Sequence, residues 1–291
     1  MNISQWLNKA GAYLAERCSG AGRVDAEVLL GHCTGRDRAA LYRDGLEELS
    51  PGQEEMFRRL LERRAGGEPL AYITGHREFM GLDFLVSPAV LIPRPETELL
   101  VEKAVEILRN VRHGTEYGSL PGPVAVDVGT GSGAIAVSLA VMVGCAGVYA
   151  TDISPAALEV ARQNAARHGV AERVDFRQGD LLGPLKGIPG FRADLIAANL
   201  PYVPSPEIPL LMAGVRDYEP RSALDGGPDG LDQYRRLVPE AQGLLRDGGP
   251  LLVEIAPGQG AAVAGMMGSG WQVEIFRDLA GRERLVIAQK K

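Results

Sequence analysis

From Val124 to the end of the chain, short apolar runs without helical period alternate with stretches of helical pattern. This alternation restricts the fold more than any other feature, because strands separated by helices lie parallel and are covered on both faces. The strands it predicts are Val124–Val128, residues 147–150 ending at Thr151 and Asp152, residues 173–177 ending near Gly179 and Asp180, residues 194–199, and residues 250–255. Between them fall a helix from the glycine loop 129–133 through Val143, a second one capped by Ser154, started by Pro155 and stopped by Gly169, and a third over residues 231–245. Trp271–Arg277, a turn at Leu279-Ala280-Gly281 and residues 284–288 form a closing hairpin, which requires an antiparallel last strand. The expectation is an α/β doubly wound sheet, parallel with one antiparallel strand. Such sheets bind ligands at the C-terminal edge of their strands.

The front of the chain differs. Ile3, Leu7, Ala10 and Leu14 share one helix face, residues 24–33 make a second apolar helix ended by Gly35, and Arg38–Arg43 a short third. A fourth is marked by a capping box, Ser50 with Gln53, by Pro51 at its first position and by Gly66 at its end. Its Arg58, Arg59, Arg63 and Arg64 alternate with Glu54, Glu55 and Glu62, which suits either a solvated face or a partner's binding face. Tyr72-Ile73-Thr74-Gly75, residues 77–80 and residues 82–86 around Gly81 read as short strands and a tight hairpin. The domains expected are a helical bundle over 1–68, a β-hairpin linker over 69–95 and a sheet domain over 96–291. In the last, a helix runs from Pro95 to about Arg109, and residues 110–123 make a surface loop.

A chain of 291 residues, 45% hydrophobic and 23% charged, is an ordinary globular protein. With no 18-residue apolar run and no basic-then-apolar N-terminus, a cytoplasmic protein without membrane contact is expected. Cys18, Cys33 and Cys145 form no CxxC and read as buried thiols, while His32, His76, His113 and His168 are scattered, so no metal site is proposed. A net charge of -6 argues against general affinity for nucleic acid phosphates.

Gly129-Thr130-Gly131-Ser132-Gly133 stands between a strand and a helix, where glycines let a ligand approach backbone N–H groups. Asp152 follows Gly129 at about the spacing, roughly 20 residues, of a ribose-binding acid. A nucleoside-type cofactor fits this pair, and the loop alone leaves a nicotinamide cofactor and S-adenosylmethionine both open. Asp127 is either a sheet-end acid or a partner for a methionine amine. At the fourth strand's end, Asn199-Leu200-Pro201-Tyr202 offers an amide oxygen and nitrogen beside a flat ring, suited to gripping a planar amide or a base edge.

That tetrapeptide is similar to the Asn-Pro-Pro-Tyr motif of methyltransferases acting on planar nitrogens. The likeness extends through Tyr72-Ile73-Thr74-Gly75 with Arg77-Glu78-Phe79, residues 91–98, residues 127–135, the run from Tyr218 to Leu231, and Asp278-Leu279-Ala280-Gly281-Arg282. From about Leu70 to its end the chain resembles the protein-(glutamine-N5) methyltransferases of peptide chain release factors, and its helical front matches theirs in size.

The resemblance implies a Rossmann-like class I S-adenosyl-L-methionine-dependent methyltransferase sheet behind a substrate-recognition bundle. It also implies methylation of the glutamine of a Gly-Gly-Gln segment in a release factor, hence a part in translation termination, by a monomer holding no stable nucleic acid. On it, Asn199 Oδ1 and the Leu200 carbonyl accept the two amide hydrogens while Pro201 shapes the turn and Tyr202 stacks on the amide plane. The donor falls to Asp127, Gly129, Thr130, Gly131, Ser132, Gly133, Asp152, Asp180, Leu181 and Asn199, with Asp152 on the ribose and Asp180 and Leu181 beside the adenine. Asp180 is open to a second role as a turn cap.

Arg94 and Glu96 either frame the pocket or merely begin a helix, and the Tyr218–Gly230 loop is either a lid or a fixed surface loop. The sequence departs from the family at Leu200, which replaces proline. Leucine keeps the carbonyl, adds an N–H and loosens φ, partly offset by Pro201. Ile255-Ala256-Pro257-Gly258 also departs, where glycine more often follows the strand. Two other functions stay in view: amino-methylation of adenine or cytosine in nucleic acid, and a cofactor-binding module that no longer catalyses.

Overall fold

The computed structural model describes residues 1–18, 20, 22–111, 122–144 and 146–291. Most of the expected 110–123 loop, His113 and Cys145 lie outside the described residues. The chain divides into two units, Met1–His76 with Met212–Tyr218, and Arg77–Leu211 with Glu219–Lys291.

The first unit packs α1 (Ile3–Arg17), α2 (Arg23–Thr34), α3 (Arg38–Arg43), α4 (Pro51–Ala65) and α5 (Leu70–Thr74). Both α1 and α4 begin with reciprocal capping boxes, Asn2 with Gln5 and Ser50 with Gln53, and α2 ends on left-handed Gly35. Ile3, Leu7 and Leu14 meet Leu29, Leu30, Phe57 and Leu61 in one core. Arg64 is not on a solvated face: it pairs with Asp25 of α2 at 2.6 Å, both largely covered. Tyr72-Ile73-Thr74-Gly75, read as strand, instead closes the helix α5, because Pro69 opens a turn that left-handed Gly75 ends. Cys18 and Cys33 are half-buried rather than buried; partial burial pushes the Cys33 thiol up to about 11.

The hairpin β1 (His76–Phe79) and β2 (Leu82–Leu85) lies, apart from His76, in the second unit. Buried Asn164 ties it to the sheet, accepting from Leu85 N at 2.7 Å and donating to Leu85 O at 2.9 Å. After α6 (Glu98–Asn110) come β3 (Val124–Val128), α7 (Ala134–Met142), β4 (Gly147–Asp152), α8 (Pro155–Arg167), β5 (Val174–Gln178), β6 (Leu195–Ala198), α9 (Asp232–Leu244), β7 (Pro250–Glu254), α10 (Gly260–Met267), β8 (Trp271–Arg277) and β9 (Glu283–Lys290). The sheet order is β5-β4-β3-β6-β7-β9-β8, and β9 is antiparallel to both its neighbours. Helix α10 escapes the sequence reading, because its Gly- and Met-rich run carries no polar face.

Side-chain alternation divides the core. Ala125, Leu195, Ala197 and Val148 face α6 and α7, while Val126, Ile196, Ala198 and Leu251 face α9 and α10. This double coverage accounts for the unbroken apolar strands. The register pairs Val128 with both Thr151 and Ala198, so β3, β4 and β6 end level. Gly129, Asp152 and Asn199 therefore stand at one sheet edge.

Candidate active site

At the end of β3 the chain turns back under its own helix. Gly129 N and Thr130 N both donate to Thr151 O, at 2.8 and 3.0 Å, and Gly129 and Gly131 take φ of +73° and +55°. Gly133, at φ +81°, begins α7, and a methyl group there would meet Ala161 at 3.1 Å. Glycine at 133 thus serves close packing of α7 on α8. Asp127 lies behind the loop, fully buried. Its Oδ2 accepts from Thr130 Oγ1 at 2.6 Å and Ala136 N at 3.0 Å, and burial pushes its carboxyl up to about 7. Asp152 accepts from Gly131 N at 2.9 Å and Ser154 N at 2.8 Å, while burial raises its pKa. Asn164 completes the support by donating to Ser132 O at 2.8 Å.

The turn after β6 is held from two sides. Asn199 Nδ2 donates to Thr97 Oγ1 at 3.0 Å. Tyr202 Oη lies 3.3 Å from Oε1 of Glu254, the last residue of β7, and burial raises the pKa of the phenol. Behind the turn runs the glycine-rich loop. Val203 N donates to Leu224 O, Gly226 N to Val203 O, and Gln259 Nε2 to Tyr202 O at 3.0 Å. Added methyl groups at Gly226 and Gly230 would stand 2.7 Å from Pro201 O and 2.2 Å from Tyr202 O. The loop is further bound by Arg94 to Glu219, whose side chain is 1% exposed, and by Asp225 to Ser205 and Arg221. Of the two readings, the fixed loop is the one these contacts support: it backs the turn.

One pocket of about 1230 Å³, measured to its open mouth, joins these parts. Of the expected donor residues, Gly129, Thr130, Gly131, Ser132, Asp152, Asp180, Leu181 and Asn199 line it, as do Leu200 and Pro201. Asp127, Gly133 and Tyr202 are not among its walls; they hold the walls in place. Arg94 reaches the pocket and Glu96 does not. Asp180 is engaged by Arg236, and Leu181 holds a left-handed φ of +47°, unusual for a branched residue. The cradle suits a nucleoside cofactor: Gly131 is open to the pocket, the Asp152 carboxylate is at its rim, and apolar Ile153 beside it is 65% exposed.

Sequence reasoning missed Thr97 and Glu254. Thr97 falls at helical spacing with Val101, Ala104, Val105 and Leu108, so its position carries no polar signal. Glu254 carried a usable signal, a lone acid in a strand otherwise apolar and covered on both faces.

Residues 5–75 match the PrmC N-terminal domain and residues 125–218 a methyltransferase domain. The release factor glutamine methyltransferase of Moorella thermoacetica is 48% identical, over 100% of this chain and 99% of that protein. The release factor glutamine methyltransferase of Geobacter sulfurreducens is 42% identical, over 98% of this chain and 95% of that one. The chain belongs to the release factor glutamine methyltransferase family. A solved methyltransferase from Pyrococcus furiosus, 21% identical, shares the fold with a TM-score of 0.51 over 82% of this chain and 98% of its own. Family membership fits a donor cradle and a carboxamide turn that open on the same pocket.

Proposed function

We propose that the chain transfers a methyl group from S-adenosyl-L-methionine to the side-chain nitrogen (N5) of the glutamine in the Gly-Gly-Gln segment of peptide chain release factors. Asn199, Leu200, Pro201 and Tyr202 form the clamp for that amide. The observation that carries the reading is Asn199: with Nδ2 given to Thr97, its Oδ1 is left to accept a hydrogen from a substrate amide at the pocket shared with the glycine loop. The Leu200 carbonyl accepts the second amide hydrogen, and Pro201 stiffens the turn. Tyr202 serves the clamp from behind the pocket wall: tied to Glu254, it steadies the turn that carries Asn199.

An amide nitrogen is a poor nucleophile because its lone pair is delocalised. When bound, the donor supplies a methyl carbon attached to cationic sulfur, so the protein's task is alignment. Two acceptors that fix the NH₂ opposite that carbon are of the kind worth ~7–11 kcal/mol in well-oriented reactions. Gly129, Thr130, Gly131 and Ser132 receive the donor along their backbone, Asp152 accepts from ribose hydroxyls, and Leu181 with Ile153 covers the adenine. Asp180 contributes beside the adenine while paired with Arg236. Asp127 and Gly133 act from behind by fixing the loop. The helical unit binds the release factor. The protein works as a cytoplasmic monomer, and no observation favours nucleic acid as substrate over a protein amide.

Labelled donor offered with a release factor, or with total RNA and DNA, tests the reading. Label on the Gly-Gly-Gln glutamine is expected; label on nucleic acid, or on nothing, refutes it. Asn199→Ala abolishes transfer and leaves binding of the demethylated donor largely intact, and retained turnover removes the clamp.

A further inference from the structure

Transfer by alignment needs donor and amide at a fixed separation, yet two different turns hold them. Gly129 follows β3 and Asn199 follows β6, and the two strands run in register up to Val128 and Ala198. Beyond that pair the ladder stops, and among the described residues no backbone hydrogen bond joins residues 129–133 to residues 199–202. The side chain of Leu200 fills the gap. It is 5% exposed, shares a core with Val126 and Val128, and forms part of the pocket wall. A Cβ added at Gly129 would stand 2.9 Å from Leu200 Cδ2, with Asn199 O at 3.9 Å. Gly129 itself is firmly seated: its φ is +73°, and its N–H and that of Thr130 are both fastened to Thr151 O at the end of β4.

We propose that Leu200 is a positioning residue through its side chain: seated on Gly129, it sets the distance between the amide clamp and the donor loop. The proposal rests on the amide-clamp reading above and gives a second task to the residue that lends its carbonyl. It also accounts for the leucine. A proline at this position would hold its own φ through its ring, whereas leucine leaves that torsion free and is held by what it packs against. The surface it needs is a residue without Cβ, because a side chain at 129 would take the space of the leucine methyl. Without the contact the turn shifts by a fraction of an ångström, and a misplacement of about 1 Å can cost roughly 10²-fold in rate while both halves of the site still bind.

A double-mutant cycle on positions 129 and 200 tests it. Leu200→Ala is expected to lower kcat about tenfold or more, with the Kd of S-adenosylhomocysteine within about threefold of the parent, and Leu200→Met, which reaches as far, regains most of the loss. Gly129→Ala drives a methyl group into Leu200 and lowers kcat in the parent. In the Leu200→Ala background the same change costs about fivefold less or better, because the left-handed strain at 129 is common to both backgrounds and cancels. A merely structural role would lower the thermal midpoint and leave kcat of the folded enzyme unchanged. Parent-like kcat in Leu200→Ala, or effects of the two changes that simply multiply, overturns the proposal, and inactivity of Asn199→Ala in the same assay then shows that the clamp survives. Full activity of Asn199→Ala instead overturns the clamp itself. Should an alanine variant fail to fold, Leu200→Val, shorter by a methylene group, decides: kcat equal to the parent's refutes the spacer.

Discussion

Asn164 makes the most testable structural claim, because one fully buried carboxamide satisfies three backbone groups in two segments that sequence places far apart. Its Oδ1 accepts from Leu85 N at 2.7 Å, and its Nδ2 donates to Leu85 O at 2.9 Å and Ser132 O at 2.8 Å. Asn164→Ala leaves one donor and two acceptors unsatisfied. Each buried orphan costs about 1–3 kcal/mol, and Leu85, only part-buried, belongs at the low end because water reaches it. The sum is about 4 kcal/mol, a large share of the ~5–15 kcal/mol that holds a domain together. Urea titration followed by circular dichroism reads this directly. The transition midpoint falls while its slope stays constant.

Asn164→Asp separates hydrogen bonding from packing. The side chain is isosteric, so an account based on filled volume predicts parent-like stability. Hydrogen-bond accounting predicts the reverse at pH 8: the carboxylate still accepts from Leu85 N, but it faces two carbonyl oxygens, and the variant is less stable than Asn164→Ala. Acidification restores a proton, hence one donor, and part of the loss. Because Ser132 is in the glycine loop, both variants also weaken S-adenosylhomocysteine binding. A loss below about 1 kcal/mol for Asn164→Ala, or an aspartate variant as stable as the parent at pH 8, refutes the reasoning.

Gly230→Ala forces a methyl group to within 2.2 Å of Tyr202 O at a φ of +76°, and is expected to lower kcat by about tenfold or more with donor Kd nearly unchanged; equal kcat counts against the loop as backing for the clamp. Gly133→Ala combines a left-handed penalty of about 1–2 kcal/mol with overpacking against Ala161 of ~1–3 kcal/mol, and the thermal midpoint drops accordingly. Burial raises Glu254 from 4.5 to about 7, so the ionised form is disfavoured in the fold: through this group stability is greatest below about pH 4.5 and declines until pH 7. Glu254→Gln flattens this trend in a pH series of thermal midpoints; an unchanged slope counts against Glu254 as its source.

The parallel sheet, its antiparallel last strand and the gathering of the glycine loop and Asp152 at one pocket were legible because apolar runs, glycines and strand-end acids are local signals. Tyr72-Ile73-Thr74-Gly75 was misread because so short a strand-like run carries no period, and the deciding signals are Pro69 before the helix and the left-handed Gly75 at its end. Arg64 was assigned to a solvated or partner-binding face, because helical charge alternation does not show that Asp25 of α2 is its neighbour. Tyr202 and Asn199 were legible as residues, but their supports were not. Thr97 and Glu254 are separated by more than half the chain, and only the crossing of β6 and β7 with the start of α6 joins them.

The two acids that support the site share a position as well as a burden. Asp127 stands one residue before the end of β3 and Glu254 at the end of β7, and burial pushes each to about 7. Neither lines the pocket. Asp127 fastens the glycine loop through Thr130 and the amide of Ala136, and Glu254 lies 3.3 Å from the Tyr202 hydroxyl behind the turn after β6. A fold chosen for stability alone has no use for a carboxylate at either place, since apolar side chains would bury there without desolvation cost. What Asp127 adds is direction: its ionised Oδ2 accepts from the Thr130 hydroxyl and the Ala136 amide and so fixes the glycine loop. Methyl transfer to an unactivated amide depends on such orientation, and a sheet edge backed by acceptors supplies it.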